Sequence, residues 1–152
     1  MCRVAFSIAL VALLAAPASS VYAQEHQHAP PPRTSAAVPA HGYATDATLR
    51  QQMREIRTEV AAIENFQHGR STQPQAIDAA GRITGHVNTI IANCKLPPDA
   101  DEALHTIIGP MLQHASALKA SPDSSAAVTS LHGLLDQYAR EFDDPGFSKP
   151  AR

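Results

Sequence analysis

Apolar residues recur at steps of four and three through most of the chain after residue 45. Leu49, Met53, Ile56, Val60 and Ile63 are spaced by 4, 3, 4 and 3 residues. That spacing lines one stripe of an α-helix. Arg50, Gln51, Arg54, Glu55, Arg57 and Glu59 lie between them, so the other faces suit water. Thr45 or Asp46 can cap the first free N–H groups. His68-Gly69 ends the helix, with the glycine able to turn left-handed.

The pattern predicts three more helices. The second starts near Ser71-Thr72, with Pro74 in the first turn where its missing N–H costs little. Its seam is Ile77, Ala80, Thr84, Val87, Ile91 and Cys94, widened by Ile83 and Ile90. Leu96-Pro97-Pro98 stops it, and Asp99 with Glu102 reads as an Asp-x-x-Glu capping box for the third helix. That helix carries Leu104, Ile108, Met111, Ala115 and Leu118, with Pro110 predicted to kink it. Ser121-Pro122 reads as the start of the fourth, with seam Val128, Leu131, Leu135, Tyr138 and Phe142. Asp143-Asp144-Pro145-Gly146 ends it. Helices of about 20 residues with short links predict an all-α, antiparallel up-down-up-down four-helix bundle. We assign it residues 45–144, with a tail over 145–152.

The preceding residues follow another logic. Met1-Cys2-Arg3 is a short positive start, Val4–Ala16 an apolar run too short for a transmembrane helix, and Val21-Tyr22-Ala23 a small-x-small cleavage pattern. Residues 1–23 are therefore expected to be a cleaved secretory signal, making the protein periplasmic or secreted with no membrane anchor after cleavage. Residues 24–44 hold four prolines and few large apolar groups, so a disordered leader is expected there.

Cleavage removes Arg3 and no acidic residue, taking the formal charge from −2 to −3. Neither that charge nor any basic cluster suits nucleic acid. Cys94 becomes the one remaining cysteine. It is then a buried core residue, a metal ligand, or the link of a disulfide-bonded dimer; the chain is otherwise expected to be a monomer.

Up-down topology would gather Met53, Cys94, His105 and Tyr138 at one end. Thioether, thiolate and imidazole suit a soft ion such as Cu(I), although methionine and cysteine on a seam also serve as ordinary core fillers. The mature N-terminus would read Gln24-Glu25-His26. Its amine, two amides and third-position imidazole can hold Cu(II) or Ni(II) in a square plane, with His28 and His41 nearby. Glu102 and His105 have the spacing used in di-iron bundles, but those need two such pairs and two further glutamates. His68, His86, His114 and His132 lie off the seams and are expected to be solvated. No nucleophile elbow, zinc-protease motif, phosphate loop or covalent-haem motif occurs.

Leu49-Arg50-Gln51-Gln52-Met53, following an export signal and opening four helices, resembles the cytochrome b562-like periplasmic bundles over residues 46–142. The resemblance implies the bundle fold and gives Met53 the place of one haem b ligand. That family's second ligand is a histidine near the end of helix 4, where this chain reads Gln137-Tyr138-Ala139-Arg140-Glu141-Phe142. The expectation is an exported, non-catalytic bundle that binds or carries copper through Met53, Cys94, His105, His26 and His28. The alternatives are a ligand-free structural or interaction bundle, and a haem b protein of electron-transfer type.

Overall fold

A computed structural model of the chain describes residues 38–147. The expected signal and most of the expected leader, including His26 and His28, lie outside the described residues, as does the end of the tail. Four helices follow in order: α1 (Ala47–Gln67), α2 (Gln73–Asn93), α3 (Pro98–Ala120) and α4 (Ser125–Glu141). Among the described residues there is no strand, only an isolated bridge between Tyr43 and Phe142. No described helix is long and apolar enough to cross a membrane.

Each helix packs on the next, and α4 also packs on α1. All five residues of the α1 seam are fully buried, and every residue of the α3 and α4 seams is buried. They form one core with Ile83, Val87 and Ile90 of α2. The α2 seam is therefore rotated from the expected one. Ala76, Ala79, Ala80, Ile83, Val87 and Ile90 turn inward, Ile77 is only half-buried and Ile91 is 58% exposed. Two near-parallel apolar rows compete on this helix, and packing against both α1 and α3 selects the row with the alanines. Small residues there let α1 come close.

Two expected helix starts move. Pro98 is the first residue of α3, behind Pro97 at the cap, so Asp99 already lies inside the helix and caps nothing. Asp99 and Asp101 instead place negative charge in the first turn, where the helix dipole favours it. The α4 cap is Ser124, whose Oγ accepts from the Ala127 N–H at 3.4 Å. Ser121 ends α3, and a turn from Ser121 to Ser124 intervenes, with Pro122 buried in it.

The end of α1 follows its sequence signal. Gly69 sits at φ +70°. Its N–H donates to the Phe66 carbonyl at 2.8 Å, and that of Arg70 to the Asn65 carbonyl at 2.7 Å. This crossed pair is the Schellman closure, which satisfies carbonyls the last turn would leave free. Thr72 opens α2, with its N–H and hydroxyl both donating to Gln75 Oε1.

The assigned bundle edges at residues 45 and 144 fall inside the core. Tyr43, placed in the leader, is 5% exposed, and Phe147, placed in the tail, is also buried. Each is a lone aromatic in a polar stretch, so periodicity cannot detect it.

Candidate functional site

The start of α1 meets the end of α2 through Asp46. One carboxylate oxygen accepts from the Leu49 N–H at 2.7 Å, capping α1. The other accepts from the Lys95 N–H at 2.8 Å. The Cys94 thiol lies close to the same carboxylate. Burial alone would raise the Asp46 pKa, but these donors outweigh it and leave it below the ordinary value. The thiol responds oppositely. Burial, the charge and hydrogen bond of Asp46, and the charge of Asp101 push Cys94 up to about 12. Cys94 is thus a protonated thiol at neutral pH, half-buried at the C-cap of α2.

A second carboxylate ties the end of α4. Asp144 is buried and accepts from the Tyr138 hydroxyl at 3.0 Å and the Gly146 N–H at 2.9 Å. The Arg54 guanidinium lies 3.8 Å away. Burial first, then the adjacent Asp144 charge, raise the Tyr138 pKa far above the ordinary phenol value. Tyr138 stacks on Phe142 and meets Phe147 edge-on, while Tyr43 tilts against Phe142. Arg57 covers the Phe147 ring at 4.4 Å.

Residues 42–43 lie alongside the chain leaving α4. The Tyr43 N–H donates to the Glu141 carbonyl at 2.7 Å, and the Asp143 N–H to the Tyr43 carbonyl at 2.9 Å. Gly42 sits at φ +83°, and a Cβ there would lie 2.9 Å from the Asp143 nitrogen.

Three of the five expected copper ligands fall among the described residues, each in a different environment. Met53 is fully enclosed in the core. Cys94 is engaged with Asp46. The His105 side chain is 61% exposed, with Nδ1 2.7 Å from the Asp101 carbonyl oxygen. Cys94 and His105 thus both lie near Asp101, the thiol within reach of its charge and the imidazole against its backbone carbonyl with the carboxylate 3.6 Å away. Among the described residues, no group of three histidine, cysteine or acidic side chains could hold a metal ion.

Other groups expected to be solvated bridge helices. Glu59 is nearly buried and receives two bonds from Arg82, at 2.8 and 2.7 Å, which raise the arginine's pKa. His86 pairs with Gln52 at 2.8 Å, and His132 with Glu64 at 2.7 Å. Placing these polar residues on a helical wheel beside their seams would have identified them as flanking partners.

No protein-family model, curated protein or solved structure matches the chain.

Proposed function

We propose that the chain is an exported, non-catalytic, antiparallel up-down-up-down four-helix bundle that acts through binding at its surface. The topology is supported by opposed pairings along α1 and α2: Asp46 with Lys95, Gln52 with His86, and Glu59 with Arg82. Tyr43 with Phe142 and Gln67 with Pro122 do the same for α1 and the ends of α4. Export rests on the signal pattern of residues 1–23.

The observation that carries the binding role is the use of the reactive protons. That of Tyr138 is donated to Asp144, and burial beside Asp46 keeps that of Cys94 on the sulfur. A thiol held protonated is a poor nucleophile. The test is to purify the mature protein from its native compartment, record metal content and a visible spectrum, and identify what co-purifies. A colourless, metal-free protein with a stoichiometric protein partner is expected. A Soret band or bound copper overturns the reading.

Copper carriage by Met53, Cys94, His105, His26 and His28 is the second reading. It is favoured by Cys94 and His105 both lying near Asp101, in surroundings whose negative charge attracts a cation. Titration with Cu(I) and Cu(II) against a competing chelator tests it. Affinity unchanged in a leaderless Cys94→Ser/His105→Ala variant removes it.

A further inference from the structure

A groove of about 400 Å³ opens between the start of α3, the end of α4 and residues 38–43. Its apolar lining includes Val38, Tyr43 and Ala103. Val38 is 44% exposed, and only it and Ile91 are large hydrophobics left open to water among the described residues. The acidic lining comes from both helices: Asp99 and Glu102 on α3, and Glu141 as the last residue of α4. Among the described residues, no lysine or arginine lines the groove. Among the described residues none of these three carboxylates is in an ion pair, and Glu141 takes only a 3.3 Å bond from Gln137.

Negative charge on both sides of an apolar floor complements a ligand with cationic groups flanking an apolar one. We propose that this groove binds a basic, extended peptide segment of a partner protein, in which lysine or arginine alternates with apolar residues. This rests on the surface-binding reading above and names its partner class. Alternating residues of an extended segment face the same way, so apolar side chains meet Val38, Tyr43 and Ala103 while basic ones reach the carboxylates. Long basic side chains suit such a groove because their methylene stems lie on apolar surface while the charged ends stay wet. Glu102 and Asp99, three residues apart on α3, share one face and can meet one such cation.

The probe is a fluorescein-labelled, end-capped peptide of alternating lysine and leucine, followed by polarisation with the mature protein. Saturable binding that weakens with salt is expected. Asp99→Asn/Glu102→Gln/Glu141→Gln should weaken it by at least about ten-fold. Val38→Ser, a change at an exposed position, should weaken it several-fold while the far-UV spectrum and Tm stay unchanged. Equal binding by the neutralised variant overturns the proposal. So does competition by spermidine as effective as that by unlabelled peptide, because a simple polyamine lacks the alternating apolar side chains. A native partner captured equally by wild type and the neutralised variant overturns the groove but leaves the surface-binding reading standing. If neither captures a partner and the peptide does not bind, both fall.

Discussion

The two ends of α1 are finished by different means. At its C-terminus the capping is made by a few consecutive residues: His68 caps, Gly69 turns, and the N–H groups of Gly69 and Arg70 close on carbonyls of the same helix. One long-range bond, from Gln67 to the Pro122 carbonyl, lies beside it. At its N-terminus, Asp46 caps the helix, accepts from the Lys95 N–H 49 residues away and lies beside the Cys94 thiol. Tyr43 reaches Phe142 across most of the domain. One end is a local motif that any similar helix could carry. The other is a clasp joining three helix ends, whose parts have little value separately. Substitutions near Gly69 should therefore act alone, and those in the clasp should act together.

The largest difference is expected from Tyr43→Ala. It removes a buried aromatic ring and the tilted contact with Phe142. A loss of about 3 kcal/mol is expected from comparable aromatic truncations. Urea unfolding measures it. A loss below about 1 kcal/mol would place Tyr43 with ordinary surface substitutions and dissolve the distinction between the ends.

The two positive-φ glycines give a matched test. Gly69 at φ +70° has nothing within 4 Å of an added Cβ, so Gly69→Ala bears only the left-handed backbone cost, about 1 kcal/mol. At Gly42, φ +83°, the Cβ would also meet backbone atoms of residues 141–143 at 2.9 to 3.1 Å. Those atoms belong to the paired segment and cannot yield cheaply. Gly42→Ala should cost at least about twice as much, given the penalty for crowding a packed site. Equal Tm shifts would mean that residues 42–43 are not held against the end of α4.

The same contrast explains what was legible in the sequence. Periodicity finds a helix because the relevant residues are neighbours every third or fourth position. It therefore found all four helices and the α1, α3 and α4 seams. The stop at His68-Gly69 was equally visible, but the starts read at Asp99 and Ser121 were not the ones used, since Pro97 and Ser124 are the caps. The α2 rotation was ambiguous because Ile83/Ile90 and Thr84/Ile91 form adjacent rows, and only the neighbouring helices choose between them. Asp144, Tyr43 and Phe147 were invisible for another reason: each acquires its role from a partner outside its own helix pattern. Cys94 lay between these cases. Its position near the turn was readable, but the carboxylate of Asp46 beside it was not.

A smaller effect is expected from Tyr138→Phe. It removes the hydroxyl that donates to Asp144 and keeps the ring stacked on Phe142. Asp144 retains the Gly146 N–H and the nearby Arg54, so its desolvation is only partly uncompensated. About 1.5 kcal/mol is expected, the low end for a hydrogen bond to a charged group, because the remaining partners compensate in part. Combining Tyr138→Phe with Tyr43→Ala should cost less than the two losses separately, because both act on one clasp. Strict additivity would show two independent anchors.

The last effect concerns Cys94 and is read from pH. In the folded chain the thiol holds its proton up to about pH 12, because burial and Asp46 oppose the thiolate. Unfolded cysteine titrates near pH 8.5. Above that value the unfolded state binds fewer protons than the folded state, so this contribution is intact below it and declines as pH rises toward 12. Tyr138 acts in the same direction at higher pH, so wild type alone cannot isolate the thiol. The informative quantity is the difference in Tm between wild type and Cys94→Ala, which retains Tyr138. Wild type should lead at pH 7, and its lead should shrink steadily between about pH 8.5 and 11 as the unfolded thiol ionises. A lead that stays constant over that range would mean that the thiol titrates alike in both states. Asp46 would then join α1 to α2 through Lys95 alone.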